Sequence, residues 1–199
     1  MEEIYKSITK GVRKPKHKLA MFMCGAAGTG KTSLRDTFLK DVGMKTSFVY
    51  LNIDDIRKHV KSQEEAQVFI KNLVSRTVDD GYSLMWDATC RNKTAILPAM
   101  ETMKSKGYKI VLGMVYASLN TVVKRVAKRV DQPVEESIVR DIYQHMMKNA
   151  EVYMDKDFID EIYLYNNEKN AILLFSKSDK SVECHSPDIK FYFDVSKYC

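Results

Sequence analysis

Short apolar runs alternate with longer amphipathic stretches over most of this chain. The runs cover residues 19–25, 47–53, 82–88 and 108–116, and such runs are typical of strands that are buried on both faces. The stretches between them, residues 31–40, 64–79, 92–106 and 119–129, have helical periodicity, and Gly81 and Gly107 stand where helices stop. The pattern predicts βα units and a mainly parallel sheet with right-handed crossovers.

The character of the chain changes towards its carboxyl end. Residues 134–156 predict one long helix, with Pro133 at its first turn and Glu135 and Glu136 at the positive end of its dipole. Four short β segments follow at 161–167, 170–177, 181–185 and 190–195, and we expect an antiparallel extension at one sheet edge. We therefore expect an N-terminal helix and basic linker (1–18), a main α/β domain (19–167) and a C-terminal β extension packed on that domain (168–199).

Composition sets limits on this picture. A chain of 199 residues, 45% hydrophobic and 29% charged, is typical of one globular core, and its net charge of +6 attracts anions such as nucleotides. The four cysteines (Cys24, Cys90, Cys184 and Cys199) have neither metal-ligand spacing nor the density of a secreted scaffold, so a reducing compartment fits best. Because no signal-peptide pattern or long apolar stretch is present, we expect a cytoplasmic protein without membrane association.

The segment GAAGTGKT, residues 25–32, matches the phosphate-binding pattern G-x-x-x-x-G-K-[ST] between a predicted strand and a predicted helix. Glycines allow turns in which backbone N–H groups surround a phosphate, and the following helix adds positive potential. Lys31 can reach the β- and γ-phosphates, and the Thr32 hydroxyl can coordinate Mg²⁺. The pattern predicts a three-layer P-loop NTPase fold that binds ATP and Mg²⁺ through Gly25, Ala26, Ala27, Gly28, Thr29, Gly30, Lys31, Thr32 and Ser33.

Three further polar segments accompany this loop. They are NIDDIR (52–57), WDATCR (86–91) and VKRVAKR (123–129), the last followed by QPVEE (132–136). Together with GAAGTGKT they resemble the P-loop kinases that include zeta toxins and polynucleotide 5′-hydroxyl kinases. The resemblance covers residues 19–167 and implies an ATP-dependent kinase domain with a hydroxyl group as acceptor, and also an inhibitory protein partner.

NIDDIR lies at the carboxyl end of a predicted strand, where ligands bind in open α/β sheets. The resemblance implies that Asp54 is the general base and that Arg57 positions the acceptor. A carboxylate there can take the acceptor's proton as the bond to phosphorus forms. The alternative is a helix-capping Asp with a surface ion pair.

WDATCR also follows an apolar run and permits two assignments. Asp87 could be a Walker-B carboxylate that holds Mg²⁺ through water, whereas the resemblance to zeta toxins assigns Asp87, Thr89 and Arg91 to the acceptor. Those relatives usually carry Glu at the position of Asp87. A plain strand-end turn in which Thr89 caps the next helix is the third possibility.

Arg125 and Arg129 are four residues apart on one predicted helix and therefore share a face. The loop 130–132 between two helices is a candidate lid, from which guanidinium groups could stabilise the transferring phosphoryl group. The alternative is a solvated basic helix face.

Taken together, these segments predict phosphoryl transfer from ATP to a nucleotide-sugar or similar small acceptor. Lys31, Thr32, Arg125 and Arg129 would contact ATP and Mg²⁺, and Asp54 would act as base. A nucleic-acid 5′-hydroxyl acceptor stays open, as does a nucleotide-binding switch or ATPase that has no acceptor.

Overall fold

The computed structural model describes residues 1–129 and 134–186, which form one mixed sheet with helices on both faces. The strands are β1 (Leu19–Cys24), β2 (Val49–Asn52), β3 (Leu84–Ala88), β4 (Lys109–Tyr116), β5 (Glu161–Asn166), β6 (Ile172–Lys177) and β7 (Val182–Cys184). The helices are α1 (Glu2–Thr9), α2 (Lys31–Asp41), α3 (Ile53–Arg57), α4 (Gln63–Asp79), α5 (Lys93–Ser105), α6 (Leu119–Ala127) and α7 (Glu136–Met154).

The strand order across the sheet is β2-β3-β1-β4-β5-β6-β7. The first five strands in this order are parallel, and β6 and β7 continue the sheet antiparallel. Asp87 of β3 pairs in register with Met23 of β1 on one side and with Asn52 of β2 on the other. The predicted α/β architecture is therefore confirmed, and it brings the carboxyl ends of β1, β2 and β3 together.

One prediction at the carboxyl end needs correction. We expected an antiparallel extension built from four short β segments, the first at 161–167, although our domain bounds placed 161–167 in the main domain. β5 pairs parallel with β4, so it belongs to the main sheet as the bounds had it. The reason is the helix before it: α7 carries the chain back along the sheet, so the next strand starts at the same end as β4. Only β6 and β7 form the antiparallel extension among the described residues.

Helix boundaries agree with the pattern except near the predicted lid. α6 ends at Ala127, and the N–H of Arg129 bonds to the Val126 carbonyl in a tighter turn, so Arg129 does not share a helix face with Arg125. The short α3 was not predicted. Pro133, the candidate lid 130–132 and the β segment 190–195 lie outside the described residues.

Alternate residues of the strands pack into two layers of core. Phe22 of β1 packs with Leu73 of α4, Met100 of α5 and Tyr153 of α7 on one face. On the other face, Met21 and Met23 pack with Leu34 and Phe38 of α2. In the part of the chain that the structure describes, no helix has the length and apolar character needed to span a membrane.

A disulfide joins Cys24, the last residue of β1, to Cys90, which follows β3. The spacing of the four cysteines did not predict this bond. Strand pairing explains the contact: β1 and β3 are neighbours, so two residues 66 positions apart have Cα atoms 5.3 Å apart, which is within the range that a disulfide spans.

Candidate active site

The GAAGTGKT segment connects β1 to α2, which is the context that the motif requires. Gly28 and Gly30 have φ angles of 87° and 86°, a region that glycine adopts without strain. The loop is also tightly packed, since a Cβ on Gly28 would lie 2.7 Å from the carbonyl oxygen of Val122. All nine predicted nucleotide-binding residues lie in this loop and in the first turn of α2.

Lys31 bends back over its own loop. Its Nζ donates to the carbonyl oxygens of Gly25 at 2.7 Å and of Ala26 at 3.4 Å, and lies 3.8 Å from Oδ1 of Asp87. Burial lowers the pKa of Lys31, and the neighbouring carboxylate of Asp87 opposes that shift. The ammonium is thus placed inside the loop, where phosphate oxygens bind in P-loop proteins.

Asp87 is buried beside this lysine, with 5% of its surface exposed. Its Oδ2 accepts hydrogen bonds from the Tyr50 hydroxyl at 2.9 Å and from Asn52 Nδ2 at 3.3 Å. Burial raises the pKa of Asp87, while the charge of Lys31 and the Tyr50 hydrogen bond act in the opposite direction. The carboxylate of Asp87 therefore lies against the phosphate loop.

Asp54 stands at the start of α3, directly after β2. The side chain of Asn52 caps α3 by accepting the N–H of Asp54 at 2.8 Å, so the carboxylate of Asp54 is not needed as the cap. Its Oδ1 lies 3.6 Å from Nη1 of Arg57 and is partly exposed. Burial is the main cause of both the lowered pKa of Lys31 and the raised pKa of Asp87, and the charge of Asp54 is a smaller influence that acts upward on each. Asp55, in contrast, pairs at the surface with Lys58.

The two remaining candidate acceptor residues lie in the loop after β3. Thr89 is half-buried and Arg91 is exposed, with its Nη1 3.4 Å from Oδ2 of Asp141 on α7. Thr89 does not cap the next helix, because Asn92 occupies the N-cap of α5. The loop therefore lies between the phosphate loop and α7, beside the carboxyl end of β3.

The two candidate lid arginines occupy different positions. Arg125 bridges two backbone segments: its guanidinium donates to the Gly28 carbonyl at 3.4 Å and to the Glu168 carbonyl at 2.9 Å. After burial, the charge of Arg129 is a smaller cause of the lowered pKa of Lys31, and Arg129 itself is exposed just beyond the end of α6. Arg125 therefore braces the loop in this structure, and Arg129 is the more available cation.

Sequence reasoning missed the turn that follows β5. Asn167 Nδ2 donates to the carbonyl oxygen of Thr29 at 2.8 Å, and Glu168 accepts from the N–H of Ser118 at 2.7 Å and its hydroxyl at 2.8 Å. Burial would raise the pKa of Glu168, but hydrogen bonds from Thr121 and Ser118 outweigh it and lower the value. No motif marks these residues; the only available signal was the run of Asn at the end of a predicted strand.

The family model described as zeta toxin matches residues 2–179. The chain belongs to the zeta toxin family. The sequence matches no curated protein.

Similar solved structures agree with the match to the zeta toxin family. The PezAT chromosomal toxin–antitoxin system of Streptococcus pneumoniae has a chain with a TM-score of 0.77 and 17% identity, covering 97% of this chain and 85% of that one. The AvrRxo1-ORF1:-ORF2 complex with ATP contains a chain with a TM-score of 0.72 and 14% identity, and the match covers 96% of this chain and 70% of that one. The Pnkp1/Rnl/Hen1 RNA repair complex contains a chain with a TM-score of 0.53 and 18% identity, and the match covers 73% of this chain and 49% of that one.

These findings confirm the resemblance stated from the sequence and the P-loop kinase fold. The chain is a zeta-toxin-like P-loop kinase, and one solved structure with this fold, the AvrRxo1-ORF1:-ORF2 complex, contains ATP. The roles of individual residues stay predictions, because likeness at this level of identity establishes the fold alone.

Proposed function

We propose that this chain transfers the γ-phosphoryl group of ATP to a hydroxyl group of a nucleotide-sugar. The position of Asp54 carries the proposal: it lies just after β2, whose last residue Asn52 pairs in register with Asp87, and its carboxylate is partly exposed. A carboxylate so placed can accept the acceptor's proton while the oxygen attacks phosphorus. An ATP-binding switch that has no acceptor needs no such base.

The phosphate loop fits a triphosphate, and the polar groups beside it fit Mg²⁺. Mg²⁺ in kinases is usually held by one or two carboxylates together with substrate phosphates. Thr32 and Asp87 would supply the protein's share, since no group of three or more His, Cys, Asp or Glu side chains within the described ranges could hold a metal alone. When bound, the ion neutralises charge on the β- and γ-phosphates.

The remaining candidates divide between the two substrates. Lys31 and Arg129 would neutralise the phosphate oxygens, while Arg125 holds the loop backbone through Gly28. Arg57, Thr89 and Arg91 would contact the acceptor from the two sides of the site. The Asp87 position, beside Lys31, supports a role on the metal side.

The test offers γ-labelled ATP and Mg²⁺ with UDP-sugars and, separately, with single-stranded 5′-hydroxyl oligonucleotides. We expect label on a UDP-sugar, and we expect Asp54→Asn to lower this transfer by at least 100-fold, the lower range for general-base loss, with Mg·ATP affinity about unchanged. The matched control is Asp55→Asn, which removes the adjacent surface carboxylate that pairs with Lys58. Equal loss in both variants would contradict the assignment of Asp54.

Two other outcomes identify the alternatives. Label on the oligonucleotide would establish a polynucleotide 5′-hydroxyl kinase, an alternative that the segment NIDDIR favours. Label released only as free phosphate would establish an ATPase or a switch. Either result would replace the nucleotide-sugar proposal.

We extend the proposal to an inhibitory protein partner. The support is the similarity to a chain from a toxin–antitoxin system. Expression of the wild-type chain without such a partner should slow growth of the host cell, and Asp54→Asn should remove the effect. Equal growth with both chains would count against a partner of this kind.

A further inference from the structure

Helix α7 carries two buried polar side chains that point at the loop after β3. Asn149, 6% exposed, donates from Nδ2 to the Arg91 carbonyl at 2.6 Å and to the Cys90 carbonyl at 3.5 Å. One turn further on, the hydroxyl of Tyr153, which is 1% exposed, donates to the Cys90 carbonyl at 3.0 Å. A buried polar side chain costs free energy unless it is hydrogen-bonded, so filling space is not by itself a reason to place polar side chains at these two positions.

The residue that receives these bonds has an unusual backbone. Cys90 has a φ of 53° and is the one non-glycine residue within 1–129 and 134–186 with a positive φ. Side-chain-bearing residues keep such a conformation only where their surroundings hold it, and they occur often at ligand sites. Cys90 is held three times over: by Asn149, by Tyr153 and by its disulfide to Cys24, which immediately precedes the phosphate loop.

The residues on either side of Cys90 are the candidate acceptor contacts Thr89 and Arg91. Helix α7 holds Arg91 at both ends, because Asn149 binds its carbonyl and Asp141 lies 3.4 Å from its guanidinium. The Arg91 side chain is nevertheless 44% exposed. The backbone of Arg91 is therefore fixed, whereas its guanidinium takes part in an exposed pair with Asp141 that a ligand can replace.

We propose that Asn149 and Tyr153 are positioning residues for the acceptor. They hold the Cys90 backbone in its positive-φ conformation, and this conformation aims Thr89 and Arg91 into the acceptor site. The proposal rests on the proposed phosphoryl transfer. It gives the buried residues near the carboxyl end of α7 a positioning role in that reaction.

The test compares three variants of the disulfide-intact chain in the labelled-ATP assay with the UDP-sugar that the wild type labels. Asn149→Leu keeps similar volume without the donor, and Tyr153→Phe removes one hydroxyl. Tyr108→Phe is the matched control, because Tyr108 is equally buried and its hydroxyl donates to the Val78 and Tyr82 carbonyls near the amino end of β4, away from the phosphate loop.

We expect Asn149→Leu to raise KM for the acceptor about tenfold and Tyr153→Phe to raise it about threefold, as the loss of one or two hydrogen bonds implies. The Kd for Mg·ATP should stay within about twofold of the wild type. Tyr108→Phe should lower the melting temperature to a similar degree without changing KM for the acceptor.

The outcomes separate this inference from the proposed function. If the wild type labels no acceptor, the proposed function fails and the inference fails with it. If the wild type labels an acceptor and Asn149→Leu leaves its KM unchanged, only the positioning role is wrong. A matching loss of ATP affinity and acceptor affinity in Asn149→Leu would show a general structural role and would also overturn the proposal.

Discussion

Replacement of Gly30 by alanine tests the packing of the phosphate loop against the turn after β5. A Cβ on Gly30 would lie 2.2 Å from Asn167 Nδ2, and Gly30 has a φ of 86°. The positive φ costs an alanine about 1–2 kcal/mol. Asn167 must also move and lose its bond to the Thr29 carbonyl, which costs about 1 kcal/mol more. We therefore expect Gly30→Ala to lower the free energy of unfolding by about 2–3 kcal/mol.

Two further variants separate strain from collision in urea unfolding measurements. Gly43→Ala is the matched control, because Gly43 has a φ of 69° but nothing lies within 4 Å of an added Cβ; it should cost about 1 kcal/mol. Asn167→Ala should cost about 1 kcal/mol alone and little in the Gly30→Ala background, giving a coupling free energy of about 1 kcal/mol. Additive effects of the two changes would refute the predicted contact.

Two other predictions concern Lys31 and the disulfide. Burial lowers the pKa of Lys31 below 10.5, so its positive charge is complete well below that lowered pKa and is lost as the pH rises through it. Calorimetry should therefore show that the affinity for Mg·ATP begins to fall at a lower pH than the pKa of a free lysine would allow. The variant Lys31→Arg should flatten this fall. An equally steep fall in Lys31→Arg would contradict the assignment. The disulfide Cys24–Cys90 closes a loop of 66 residues, so its reduction should lower the free energy of unfolding by about 4 kcal/mol. The variant Cys24→Ser/Cys90→Ser should be as stable as the reduced chain. Equal stability with and without reductant would argue against the bond.

The main elements were predictable because their signals are local. Buried parallel strands need continuous apolar runs, and β1 to β4 lie within the four runs that the sequence shows. The direction of β5 was not predictable in this way. Alternation of apolar and polar residues is the same in parallel and antiparallel strands, and the direction depends on the path of α7.

The candidate site divides along the same line. The phosphate loop is one contiguous motif, so all its members could be named from the sequence. Asn167 and Asn149 could not be named, because each binds backbone carbonyls that lie 138 and 58 residues away. A carbonyl acceptor leaves no mark in the sequence of either partner.

The surroundings of Asp87 could not be predicted from its motif, which left a metal role and an acceptor role both open. Strand pairing places Asp87 between Met23 and Asn52, beside the end of β1. Register is a property of the assembled sheet, so a single strand does not reveal which side chains its last carboxylate will meet.

The folded-back posture of Lys31 makes the site selective by the number of charges a ligand carries. Its ammonium already satisfies two carbonyl oxygens and neighbours one carboxylate, so any incoming anion exchanges existing bonds for new ones. A single phosphate gains little in such an exchange. A triphosphate engages lysine, loop amides and helix end at once, and we expect the site to discriminate against mono-anionic competitors even where they are abundant.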